Sequence, residues 1–135
     1  HRRLGEILYR GCGVMRSAES LTAALGEVRE LRDEFWSDVR VVGSGAQFNQ
    51  ELERAGRVAD FMELAEVMCL DALDRDESCG AHFRVEHQTA QGEALRDDEH
   101  WTFASAWETT PSGEQIRHRE PLTFTAVPLQ TRNYK

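Results

Sequence analysis

The chain has 135 residues, 40% of them hydrophobic and 30% charged, with a formal net charge of −8. That length suits one domain around a single core, and the acidic balance disfavours a nucleic-acid partner, whose phosphates it would repel. No apolar run approaches the roughly 20 residues a membrane-spanning helix needs, no signal-peptide pattern opens the chain, and Cys12, Cys69 and Cys79 form an odd set without framework spacing, which reads as reduced thiols of a cytosolic compartment.

The chain begins His1-Arg2-Arg3-Leu4, without methionine and directly in a helical pattern, as expected of a segment of a longer protein. A first helix is predicted over about residues 2–11, with Leu4, Ile7 and Leu8 on one face. Gly11-Cys12-Gly13 interrupts it. Ser17 is a good N-cap, and Glu19 places negative charge in the first turn of a second helix. That helix carries Leu21, Ala24, Leu25, Val28, Leu31 and Phe35 at three- and four-residue spacing and ends near Trp36-Ser37. Residues 38–47, with Gly43-Ser44-Gly45, read as a connection.

Asn49 caps a third predicted helix that runs to about Arg75. In its second half Asp60, Glu63, Glu66, Asp71 and Asp74 fall within an arc of roughly 140° at 100° per residue. The remaining apolar arc, through Val58, Phe61, Leu64, Val67, Met68 and Ala72, is wider than the stripe a lone bundle needs. Two readings stand: a central helix within this domain, or a second surface for a partner, built on Val58, Phe61, Leu64, Val67 and Met68.

From Glu77 to Asp98 the chain is polar and glycine-containing, with no sustained period. Trp101, Phe103 and Trp107 then alternate against Thr102, Ala104 and Ala106. Thr110-Pro111-Ser112-Gly113 is a turn signal. Ile116 and His118 share the next face, Pro121 separates two strands or marks an edge, and Leu122, Phe124 and Ala126 alternate again. The expected fold is mainly α: a three-helix, spectrin-repeat-like bundle with a small C-terminal antiparallel β-hairpin or meander. Residues 1–135 are read as one domain, divided into a bundle (1–76), a loop (77–100) and a β-rich tail (101–135).

The densest chemistry lies in Glu77-Ser78-Cys79-Gly80-Ala81-His82-Phe83-Arg84, with His87 and then Arg96-Asp97-Asp98-Glu99-His100-Trp101. Cys79, His82 and His87 are too few and wrongly spaced for structural zinc, which takes four ligands in paired spacing. Cys79 and His82 could serve as nucleophile and base, but no oxyanion-hole arrangement accompanies them. Asp97-Asp98-Glu99 reads as a turn or as partners for arginine. No GxGxxG or P-loop segment occurs. Arg84 is expected to clasp Asp97 and Asp98, Gly80 to supply a backbone conformation other residues resist, and His82 to be a structural, hydrogen-bonded histidine.

The same two stretches, ESCGAHFR and RDDEHW, resemble the ESRGAHxR…RDDxNW signature of the flavoprotein C-terminal domain shared by succinate dehydrogenases, fumarate reductases and L-aspartate oxidases. Gly13-Val14-Met15-Arg16 is similar to that family's glycine-hydrophobic-hydrophobic-arginine element, and Thr131-Arg132-Asn133-Tyr134-Lys135 to an Arg-x-Tyr ending. The resemblance covers nearly the whole chain. Two departures, Cys79 in place of arginine and the long link between Arg84 and Asp97, look like the ESCGxHFR branch, which tends to be menaquinone-linked. They fit succinate dehydrogenase better than L-aspartate oxidase.

The resemblance implies Glu77, Ser78, Gly80, His82, Arg84, Asp97, Asp98 and Trp101 as a structural signature, with no catalytic, cofactor or metal residue in this segment. It implies FAD, its histidine linkage and the substrate-binding groups in preceding flavin-binding and capping domains, which would be partners within the same chain. An iron–sulfur subunit and a membrane quinone-reactive subunit would complete the complex on the cytoplasmic face of a bacterial membrane. The alternatives are an independent helical interaction module or the corresponding domain of an L-aspartate oxidase.

Overall fold

Three helices follow one another as the apolar spacing requires. α1 spans Arg2–Gly11, α2 Ala18–Asp38 and α3 Gln50–Asp74. The structure is a computed structural model and describes residues 1–130, so the Thr131–Lys135 ending lies outside the described residues. The chain divides into two units, His1–Asp76 and Glu77–Lys135.

In the first unit each long helix starts on a side-chain cap. Ser17 Oγ accepts the Ser20 N–H at 3.0 Å and Ser20 Oγ accepts the Ser17 N–H at 3.0 Å, a reciprocal box that satisfies two otherwise orphaned donors. Asn49 Oδ1 accepts from the N–H groups of Glu51 and Leu52 at 3.0 and 3.2 Å. A two-residue extended piece, β1 (Met15–Arg16), joins α1 to α2.

The core is the apolar stripe of each helix turned inward: Leu4 and Ile7 of α1, Ala24, Leu25 and Val28 of α2, and Met62, Ala65 and Cys69 of α3. Complete burial of a side chain such as Val28 stabilises by about 1.5–3 kcal/mol. α1 packs on α2 and α2 on α3. The α1–α2 approach is close at Gly11, where a Cβ would lie 2.5 Å from Ala24 Cβ and 2.9 Å from Ser20 O.

α3 departs from its predicted wheel at one position. Glu66 belongs to the acidic arc by spacing, yet it is 6% exposed. Its carboxylate accepts from Arg29 Nε at 2.7 Å and from Arg32 Nη1. Two cations on one face of α2 draw the carboxylate inward and satisfy both oxygens, so the charge is buried paired. The apolar arc opposite is graded: Ala72 is buried, Val58 and Val67 are half-buried, and Phe61, Leu64 and Met68 are 52%, 56% and 46% exposed.

The second unit contains β2 (Phe83–Arg84), a short helix α4 (Asp98–Trp101), β3 (Phe103–Thr109) and β4 (Gln115–Pro121). β3 and β4 pair antiparallel from Phe103↔Pro121 to Thr109↔Gln115, so a hairpin forms rather than a meander. β4 ends at Pro121, and Leu122 and Phe124, predicted to alternate in a further strand, are exposed in irregular backbone. A proline cannot donate to a ladder, which ends the pairing there. Phe103, Ser105 and Trp107 occupy the more buried face, whereas Ile116 and His118 share the exposed one.

Candidate functional site

The signature loop is organised by three polar side chains that are themselves buried: Glu77, Ser78 and Arg84. Burying such groups is costly unless each is hydrogen-bonded, and each is. Ser78 Oγ accepts the Arg84 N–H at 2.8 Å and donates to Arg84 O at 3.1 Å, so one hydroxyl satisfies both backbone groups of a residue six positions on. Glu77 Oε2 accepts the Asp97 N–H at 2.8 Å, and the Ser78 N–H reaches Leu95 O at 3.0 Å. Glu77-Ser78 is thus the hub on which Arg84, Leu95 and Asp97 are hung.

Between Ser78 and Arg84 the chain reverses on Gly80. Cys79 and His82 exchange both backbone bonds, at 2.8 and 3.0 Å, across Gly80-Ala81. Gly80 has φ +59 and Ala81 does not have a positive φ, the sign pattern of a type II′ turn with glycine at its first central position. The signature's glycine therefore does what its type predicts.

The expected clasp from Arg84 to Asp97 and Asp98 is not what forms. Arg84 Nε donates to Glu86 Oε2 at 3.3 Å. Asp97 caps α4, accepting the His100 N–H at 3.2 Å, and its carboxylate also holds His100 Nδ1 at 2.9 Å. Asp98 pairs with Arg96, whose Nη2 lies 2.5 Å and Nε 3.0 Å from Asp98 Oδ1, while Arg96 Nη1 reaches Gln130 O at 3.0 Å. Each aspartate finds a partner within three residues. Local pairs cost less chain entropy than the distant arginine would. Desolvation pulls the Asp97 carboxyl up, but the hydrogen bonds and charge of His100 outweigh it and hold it below its ordinary value.

Trp101 closes α4 with its ring 5.4 Å from that of Phe103. Arg117 stands over both rings at 5.7 and 5.6 Å, and Arg119 over Phe103 at 4.6 Å. The two arginines come from alternate positions of β4, opposite Trp107 and Ser105. Their planar cations cover the aromatic face that β3 turns inward. Sequence reasoning quoted Arg96 without pairing it to Asp98 and passed over Arg117 and Arg119, although the Thr110–Gly113 turn fixes the register that places these two.

A second turn was also legible and missed. Thr89-Ala90-Gln91-Gly92-Glu93 and Thr110-Pro111-Ser112-Gly113-Glu114 share the pattern Thr-x-x-Gly-Glu. In each, the glycine N–H bonds the threonine carbonyl at 2.9 Å and the threonine N–H bonds the glutamate carbonyl, at 2.8 and 2.9 Å. Both glycines have positive φ, +78 and +84, and both threonine hydroxyls accept the glutamate N–H, at 3.1 and 3.0 Å. The long link between Arg84 and Asp97 is therefore a folded turn and not slack.

This arrangement spends its polar groups on its own backbone. A phosphate-cradling glycine loop is absent from the sequence, and the N-termini of α2 and α3 are capped by Ser17 with Ser20 and by Asn49. No group of three or more His, Cys, Asp and Glu among the described residues is placed to hold a metal, and no helix among them is long and apolar enough to cross a membrane. By geometry the class is a mainly helical domain whose polar loop is hydrogen-bonded to its own backbone.

The chain belongs to the family described as the fumarate reductase flavoprotein C-terminal domain, whose model matches residues 1–134. The fumarate reductase flavoprotein subunit of Serratia sp. (strain ATCC 39006) is 26% identical over 131 residues, covering 97% of this chain and 21% of that protein. The Helicobacter pylori (strain J99) subunit of the same name is 36% identical over 116 residues, covering 84% and 15%. Among solved structures, the FrdA subunit of Escherichia coli quinol fumarate reductase matches with TM-score 0.81 and 25% identity, over 96% of this chain and 21% of that one. A quinol fumarate reductase with menaquinol molecules matches with TM-score 0.79 and 25% identity over 94% and 21%. The chain thus spans about a fifth of the length of these flavoprotein subunits and is similar to their C-terminal part.

Proposed function

We propose that this chain is the non-catalytic C-terminal domain of a flavin-dependent oxidoreductase that interconverts succinate and fumarate. The family match across residues 1–134 carries the reading. FAD and the substrate-binding groups belong, on this reading, to flavin-binding and capping domains of the same flavoprotein. Glu77, Ser78, Gly80, His82, Arg84, Asp97, Asp98 and Trp101 serve as a structural signature that sets the path of the chain between α3 and the β3–β4 hairpin. The internal bonding of Glu77, Ser78 and Asp97 supports that role, since it leaves those groups engaged with backbone rather than turned toward a ligand.

The stripe of Phe61, Leu64 and Met68 is the surface we assign to contact with the remaining flavoprotein, flanked by the half-buried Val58 and Val67. Three large apolar side chains in one row of a helix are an unusual exposure for a surface that stays in water. Electrons would leave the flavin for an iron–sulfur subunit and a membrane quinone-reactive subunit, at the cytoplasmic face of a bacterial membrane. The test is direct: purify the 135-residue chain, titrate it with FAD, and assay succinate-dependent dye reduction. Neither binding nor turnover is expected. A yellow protein, or dye reduced with succinate, would remove the assignment.

A further inference from the structure

Two of the three cysteines lie in one place. Cys12 is the C-cap of α1, its N–H bonded to Leu8 O at 2.8 Å, and its side chain packs against the core cluster that contains Cys69. Cys12 Sγ lies 4.0 Å from Met68 O, the carbonyl of the residue preceding Cys69 on α3. Both thiols are free. Their burial is unequal: Cys12 is half-buried and reachable, whereas Cys69 is fully buried. Cys79, the third, lies in the signature loop of the other unit. Neither Cys12 nor Cys69 has a part in the role proposed above.

We propose that Cys12 and Cys69 form a reversible dithiol switch, oxidised by hydroperoxides to a disulfide that ties the end of α1 to α3. The Cys12 thiolate attacks one oxygen of hydrogen peroxide. An S–O bond forms, the O–O bond breaks, and hydroxide leaves and is protonated to water, so the Cys12 sulfur gives up two electrons and becomes a sulfenic acid. The Cys69 sulfur then attacks the Cys12 sulfur. An S–S bond forms, the S–O bond breaks, and the hydroxyl leaves with the Cys69 proton as a second water.

The electrostatics assign the order of the two steps. Interaction with Cys69 holds the Cys12 pKa down to about 7 against the opposing cost of desolvation, and Arg16 adds to the lowering. The Cys69 thiol is pushed up by its hydrogen bond to Cys12, by burial and by the charge on Cys12. Thiolate is the nucleophile, so the peroxide meets Cys12 first. Once Cys12 is a neutral sulfenic acid, its charge no longer disfavours ionisation of Cys69, and the resolving step becomes accessible.

The test uses the full 135-residue chain, reduced and desalted, exposed to hydrogen peroxide, alkylated with a maleimide and mapped by mass spectrometry. The expected product has lost two hydrogens, carries one Cys12–Cys69 cross-linked peptide, keeps Cys79 alkylated, and reverts with dithiothreitol. Cys69→Ala should instead stop at a Cys12 sulfenic acid that dimedone traps, and Cys79→Ser should behave as the parent chain. In the unoxidised chain, iodoacetamide should label Cys12 with a rate midpoint near pH 7. A cross-link through Cys79, a Cys12 oxidised to sulfinic acid without a cross-link, or thiols untouched at peroxide levels that oxidise free cysteine would each overturn the proposal.

Discussion

Glu66 stands on α3 where the wheel of the neighbouring residues calls for solvent, and it is drawn inward by Arg29 and Arg32. Removing the carboxylate leaves two half-exposed arginines that water can reach, so the loss is that of charge-assisted hydrogen bonds. Glu66→Ala should destabilise the chain by about 2 kcal/mol, read from the urea midpoint. Glu66→Leu should recover much of that, because an apolar side chain of similar volume avoids the desolvation of a buried charge. A Leu variant as unstable as the Ala variant would show that the ion pair itself is what the bundle needs. Asp97 gives a pH dependence. Its folded pKa lies below the ordinary 3.8, so its contribution is present in full above the unfolded value and disappears as pH falls through the lower folded one. The His100 amide resonance should titrate with an apparent pKa below 3.8, and Asp97→Asn should abolish that titration while keeping the cap. An amide that titrates at or above 3.8 would contradict the capping geometry.

Among the elements, the helices were legible because their caps and stripes agree. Ser17 and Asn49 mark the starts of α2 and α3, and Gly11-Cys12-Gly13 marks the end of α1. What the wheel could not carry was Glu66, whose burial depends on two arginines of another helix, or the partners of Asp97 and Asp98, which were settled by nearby competitors His100 and Arg96. The β3–β4 hairpin was legible from its turn, but the alternation beyond Pro121, read as a further strand, is irregular backbone whose Leu122 N–H still bonds Thr102 O at 3.1 Å. The α1–α2 contact yields a paired test. Gly11→Ala places a Cβ against Ala24 and the Ser20 carbonyl and should cost about 1–3 kcal/mol through overpacking. Gly26→Ala, on the exposed side of α2 with open space around it, should instead stabilise by about 0.5–1 kcal/mol. Thermal unfolding of both variants checks the sign. A stabilised Gly11→Ala would mean that the helices are not in close contact there.

At the scale of the whole molecule, two features stand out. The chain bonds its polar loop to its own backbone and presents a row of apolar side chains on α3, the row we propose as the docking face toward the remaining flavoprotein. Hydroxyl-radical footprinting of Phe61, Leu64 and Met68, made on the isolated chain and on the longer flavoprotein subunit that contains it, measures this most directly. Ready oxidation of all three is expected in the isolated chain, as their exposure implies, with labelling falling by roughly tenfold in the flavoprotein if the row is covered there, as a docked apolar face requires. Equal labelling in the two proteins would contradict the docking face.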